Sequence, residues 1–150
     1  MTGVDLTQSD GLEAVSVQTI VSEVGLDMNH WPTVKHFNSW LHLAPANAIS
    51  GGKTLSSRTH KTHNRATQAF KMAAQSLSRS QSALGGYYRR LRAKHGAPKA
   101  TTATAHKLAR IFYHLLKYRQ AYHDPGQDYY EQQYRERVLK NLKRNSLTYR

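Results

Sequence analysis

KATTATAHKLARIFYHLLKY, residues 99–118, places Ala100, Ala103, Leu108, Ile111, Phe112, Leu115 and Leu116 at helical spacing, the best amphipathic segment of the chain. It predicts a helix over about Lys99 to Tyr118 with an apolar side to cover. The neighbouring sequence supplies the cover. Over Thr62 to Ser78, Ala66, Ala69, Phe70, Ala73, Ala74 and Leu77 point inward, with Arg65, Lys71 and Arg79 outward, and the small residues permit close helix packing. Between them, about Ala83 to Lys94 reads as a further helix, closed by Gly96 and Pro98.

Working outward, a helix is expected from about Glu13 to Val24, because Leu12, Val15, Ile20, Val21 and Val24 fall near helical spacing and Gly25 can end it. Asp10-Gly11 before it reads as a turn. A shorter helix fits Thr33 to Leu43, with Thr33 as N-cap, Phe37, Trp40 and Leu41 as its apolar stripe and Pro45 as its stop. Residues 44–58, APANAISGGKTLSSR, have no period and are rich in Gly, Pro and hydroxyls, so a long loop is expected. After the Asp124-Pro125-Gly126 turn, a last helix from Tyr129 to Asn145 shows Tyr130, Tyr134, Val138 and Leu142. No strand, repeat or heptad run emerges. The expected class is mainly α: a helix-hairpin-helix-like segment (residues 1–30), a small helical domain with a long Ser/Gly loop (31–123) and a basic C-terminal helix (124–150).

Composition narrows the chemistry. A chain of 150 residues suits one ordinary domain. The mean hydropathy of -0.70 and the lack of any apolar run near the roughly 18–20 residues of a spanning helix argue against a membrane. The N-terminal residues lack the basic and apolar regions of a signal peptide, so a cytoplasmic, nucleoid-associated place is expected. With no cysteine, disulfides, thiolate catalysis and cysteine zinc sites are excluded.

Charge is segregated. The net charge is +13, yet no Lys or Arg precedes Lys35, and Asp5, Asp10, Glu13, Glu23 and Asp27 stand in that stretch. From Trp31 to His123 there is no Asp or Glu at all, while Lys and Arg recur. Single-sign charge of this extent repels itself on folding and calls for a polyanion, so nucleic acid is the expected partner. A basic protein of ribosome or nucleoid is the plainer reading.

Three stretches carry candidate chemistry. Ser50-Gly51-Gly52-Lys53 offers a hydroxyl, two residues free to adopt φ > 0 and present N–H groups, and a cation, to which Arg58 and Lys61 add. An SGGK stretch is also a common surface turn, and Ser56 and Ser57 lie close by. Tyr87 and Tyr88 among Arg89, Arg90, Arg92 and Lys94 form the densest basic-aromatic cluster, a composition that tracks a phosphate backbone and stacks on exposed bases; a solvated helix face is the alternative. Asn64-Arg65 reads equally as a capping pair or as a phosphate contact. His60 and His63 lack the further ligand that a zinc site needs, so no metal is expected there.

FNSWLHLAPANAISGGKTLSSRTHKTHNRATQAFKMAAQSL (37–77) and YYRRLRAKHGAPKATTATAHKLARIFYHLLKY (87–118), preceded by DGLEAVSVQTIVSEVG (10–25), resemble the C-terminal domain of the IS-one-ten family of insertion-sequence transposases. The motifs follow the family's order: hairpin, W-L-x-L-x-P, S-G-G-K, N-R-A, Y-Y-R-R-L, A-x-K-L-A-R. The resemblance implies a DNA recombinase guided by a structured RNA, with Ser50 as nucleophile forming a transient phosphoserine bond to DNA. It also implies an N-terminal RNaseH-like domain whose DEDD carboxylates bind divalent metal. An acid-free stretch cannot supply that tetrad, so the expectation is a fragment of a truncated or split transposase. It would hold no cofactor itself, pair with further copies or with full-length transposase, and act only with carboxylates supplied in trans. The helix-hairpin-helix resemblance is looser, since Glu13 stands where a second Gly is common, and a structural role is expected of that segment. The basic tail is a candidate RNA or dimer contact.

Overall fold

The computed structural model describes residues 3–148. Its helices are α1 (Ala14–Val24), α2 (Val34–Trp40), α3 (Arg65–Ser76), α4 (Ala83–His95), α5 (Ala97–Tyr118) and α6 (Tyr129–Thr148), with 3-10 turns at Met28–His30 and Leu77–Arg79. The chain is mainly helical, as expected. α5 is its axis: α2, α3 and α4 all pack on it, and α1 covers the far side of α3.

The apolar period of α5 buries Ala100, Leu108, Phe112, Leu115 and Leu116. Phe112 meets Phe70 edge-on at 5.6 Å between ring centroids and lies parallel to Phe37 at 6.3 Å, arrangements favoured by the ring quadrupole. Tyr113 is buried, and its hydroxyl donates to the Trp31 carbonyl at 2.7 Å. Lys117 Nζ donates to both the Tyr113 hydroxyl and the Pro32 carbonyl, so the approach to α2 is tied to α5 by polar groups that would otherwise lack partners.

Most inward positions of α3 are as predicted, with Ala66, Ala69, Phe70, Ala73, Ala74 and Leu77 all buried. The helix starts at Arg65 rather than Thr62 because the Asn64 carboxamide caps it, accepting from the Ala66 N–H at 2.9 Å. α2 also keeps its predicted cap, Thr33, but ends well before Pro45. His42 takes the left-handed conformation (φ 54°), its N–H bonds the Ser39 carbonyl, and the Leu43 N–H reaches back to the Asn38 carbonyl. That pair of bonds is the Schellman stop, with histidine where glycine is usual. Pro98 begins α5 rather than closing α4, since a first-turn proline loses no helical hydrogen bond.

α1 joins the same core through Ile20 and Val24, together with Leu6, Leu12 and Met28. Val15, expected on its apolar side, is 75% exposed. The turn before α1 packs on α3: at Gly11 (φ +87°) a Cβ would lie 3.0 Å from the Ala73 carbonyl oxygen. Residues 3–13 contain no helix, so only the turn and second helix of a helix-hairpin-helix occur among the described residues.

One further feature departs from expectation. Residues 44–58 are not wholly loop: β1 (Ala48–Ser50) and β2 (Lys53–Ser56) pair antiparallel. Gly51 (φ 56°) and Gly52 (φ 75°) both lie left-handed, as a two-residue type I′ turn demands. The strands carry no hydrophobic alternation because the hairpin stands clear of the core, with Ile49 and Leu55 about two-thirds exposed. No residue of α6 is buried, and the helix meets the body at α4. Among the described residues, no helix is long and apolar enough to cross a membrane.

Candidate nucleic-acid interface

The Ser50-Lys53 hairpin tip projects into solvent. Ser50 and Lys53 are a cross-strand pair and therefore share a face of the hairpin. Both are exposed, and neither side chain is engaged in a hydrogen bond or ion pair among the described residues. The turn thus presents a hydroxyl, an ammonium group and two glycines that leave the backbone open to close approach. Among the described residues, no histidine or carboxylate is hydrogen-bonded to Ser50.

At the foot of the hairpin the chain forms the floor of a groove of about 990 Å³, walled by the ends of α4 and α5. Its basic lining is Arg58, His95, Lys99, His106, Lys107 and Arg110, with no acid among the lining residues. Lys99, His106, Lys107 and Arg110 recur at helical spacing along α5, opposite the core. The stripe runs over roughly 16 Å at 1.5 Å per residue, about five base-pair steps of a duplex. These four residues were not singled out in the sequence. The signal was there, as polar positions in phase on the same helix whose apolar positions define the core.

The electrostatics of the groove are those of unrelieved positive charge. Burial, then the neighbouring Arg110 and Lys107, hold the His106 imidazole below its usual pKa of 6.5. Burial pushes the Lys107 ammonium down too, with Arg110, Arg137 and Arg90 adding repulsion. His114 is shifted the same way by burial, Arg110 and Lys117. Each charged form is disfavoured by desolvation and by like charge, and a phosphate placed among them would reverse the second of these.

The other predicted residues divide. Arg58 lines the groove, and Lys61 is exposed in the segment that leads to α3. Asn64 is a helix cap. Arg65 pairs with Glu23 at 3.4 Å, with its own side chain 73% exposed, a geometry that contributes little to stability. The basic-aromatic cluster is split by the helix. Tyr88 is 4% exposed and its ring belongs to the core, so it has no face for a base. Arg89 donates to the Ser78 and Ser80 carbonyls and to Gln127, bracing the turn before α4. Arg90 pairs with Glu131 of α6 at 3.4 Å and sits over the Tyr134 ring at 4.8 Å. Lys94 lies over the same ring, Tyr87 is half-buried against Tyr130, and Arg92 is exposed.

His60 faces His42 at 5.9 Å between rings, but no group of three or more His, Asp or Glu side chains able to hold a metal ion comes together among the described residues. The donor set among the described residues therefore does not fit a divalent metal.

No curated protein and no solved structure matches the chain. A family model does, over residues 5–89, which holds α1, the protruding Ser-Gly-Gly-Lys hairpin, the capped α3 and the first half of α4. By that match over more than half its length, the chain belongs to the Transposase IS116/IS110/IS902 family.

Proposed function

We propose that this chain is the serine-bearing, nucleic-acid-binding unit of a transposase, holding DNA and a structured guide RNA against its basic groove and presenting Ser50 to a target phosphodiester. Membership of the family places the chain in the transposition of insertion sequences and implies contact with DNA. The observation that carries the finer reading is the joining of a protruding, unencumbered Ser50-Lys53 turn to an acid-free groove through Arg58. In the reaction, Ser50 Oγ attacks phosphorus and its proton passes to water. The bond from phosphorus to the leaving sugar oxygen breaks, that oxygen is protonated, and the phosphoserine ester keeps the bond energy for rejoining. Lys53 offsets charge on the five-coordinate phosphorus. Metal-binding carboxylates are supplied in this reading by another chain or domain, full-length transposase being the natural source, and assembly with further copies follows from that need.

The test combines the chain with full-length transposase and labelled DNA carrying the element's end, followed by denaturing electrophoresis. A covalent protein–DNA adduct of the chain's own mass is expected, absent in Ser50→Ala while binding is retained. An adduct that persists in Ser50→Ala would overturn the assignment. One observation favours a second reading, a non-catalytic binding remnant: no general base among the described residues is hydrogen-bonded to Ser50. It predicts binding of DNA and RNA with no adduct under any of these conditions.

A further inference from the structure

Between α4, α5 and the first turns of α6 lies a second cavity of about 460 Å³, within the roughly 300–1,000 Å³ typical of small-molecule sites. We propose that this cleft binds one unpaired nucleotide of a strand held in the groove, its base against Tyr87, Tyr130 and Tyr134 and its phosphate among Arg90, Lys94 and Arg137. The inference rests on the nucleic-acid-binding reading and adds to it the structural class recognised, a strand with an extrahelical base.

Three observations support it. First, the cleft gathers Arg90, Lys94, Lys107 and Arg137 around one carboxylate, Glu131, which is itself shared between Arg90 at 3.4 Å and Arg135 at 3.2 Å. The excess positive charge asks for an anion. Second, the buried Arg90 Nε meets Glu131 Oε2 only as a 3.4 Å ion pair that falls short of a hydrogen bond, so that carboxylate does not saturate the guanidinium. Third, three tyrosine rings line the cleft, with Lys107 over both Tyr87 and Tyr130. Tyr87 and Tyr130 are tilted by 57° at 5.1 Å and so do not stack on each other, while Tyr134 lies beneath Arg90. Free phosphate or an acidic peptide would satisfy the cations but has no use for three aromatic rings; a nucleotide uses both. The cleft is also in the right place, since Tyr87, Leu91, His95 and Lys107 line both it and the groove. A base leaving a duplex in the groove would enter without crossing solvent.

The test uses the whole chain and three fluorescein-labelled probes in anisotropy titrations: a 20-base-pair DNA duplex, the same duplex with one extra unpaired thymidine, and the same with an abasic residue in its place. Base–aromatic stacking predicts about tenfold tighter binding of the thymidine bulge than of the other two. Tyr134→Leu removes the preference and leaves perfect-duplex binding unchanged, whereas Tyr134→Phe, which keeps the ring, retains it. Should Tyr134→Leu release α6, seen as new trypsin cleavage between residues 119 and 128, the decision passes to Arg137→Gln, which leaves the docking rings in place. A severalfold loss of bulge preference there supports the cleft and an unchanged preference overturns it. Equal binding of all three probes by the native chain overturns the cleft alone. Failure to bind any probe overturns the proposed function on which it rests.

Discussion

Removing Lys99 and Arg110 together should change how binding depends on salt more than it changes the fold, since both side chains are exposed. Each phosphate neutralised on duplex DNA contributes about -0.9 to the slope of log K against log salt. Arg58, Lys99, Lys107 and Arg110 in the groove therefore predict a slope near -3.6, or a loss of about 150-fold in affinity between 50 and 200 mM salt. With Lys99→Ala and Arg110→Ala combined, the slope should fall to about -1.8 and the same salt step should cost only about 12-fold. The assay is anisotropy of a labelled duplex at four or five salt concentrations, with circular dichroism to show that helix content is kept. Arg79→Ala, a basic residue outside the groove, is the control and should leave the slope unchanged. If Arg79→Ala lowered the slope as much per charge as the groove substitutions, the charge would act without location. The groove would then have no claim to be the interface.

Phe112→Ala removes a fully buried ring that packs on both Phe37 and Phe70 and should destabilise the fold by about 3–5 kcal/mol, read as a drop in the urea midpoint; a cost below 1 kcal/mol would contradict the central place given to α5. Asn64→Ala should cost about 1 kcal/mol through the lost cap and leave the salt slope of binding unaltered, whereas a reduced slope would assign Asn64 to phosphate contact as well. His106 and His114 have lowered pKa values in the fold, so on acidification the unfolded chain takes up protons first, and stability should decline as pH falls through 6.5 toward the lower folded values. Thermal midpoints at pH 7.5 and 5.5 measure this, and His106→Gln should shrink the difference. DNA affinity should move oppositely, rising in acid as His106 gains charge beside phosphate, and should flatten in the same variant.

The helices were legible because burial imposes a period on them. Ala66 to Leu77 and Ala100 to Leu116 each show one apolar side, and each side is buried where predicted except at Ala103 and Ile111, which are only partly covered. The hairpin was not legible for the converse reason. Strands exposed on both faces have no alternation to display, and the only signal was Gly51-Gly52, read for its chemistry rather than for its turn. The Schellman stop at His42 was hidden because a left-handed histidine leaves no mark in composition. Within the site, Tyr87 and Tyr88 are neighbours in sequence but about 100° apart around a helix. One faces the cleft and the other the core, a difference that a count of basic and aromatic residues cannot register. Val138 and Leu142 show the opposite limit, an apolar period that stays exposed among the described residues.

Gly85 and Gly86 set a further constraint on α4. A Cβ at Gly85 would fall 2.2 Å from the Ser80 carbonyl oxygen, and one at Gly86 would fall 2.2 Å from that of Gln127. The helix is thus notched on two sides, and the strand of chain entering α6 is seated in one notch. The Asp124 carboxylate, accepting from the Ala83 N–H at 2.9 Å, latches the same segment to the first turn of α4. α6 is consequently indexed to α4 by backbone contact before any tyrosine meets any cation. A single methyl group at position 86 would act as a shim, lifting the linker and widening the cleft without touching one of its lining side chains.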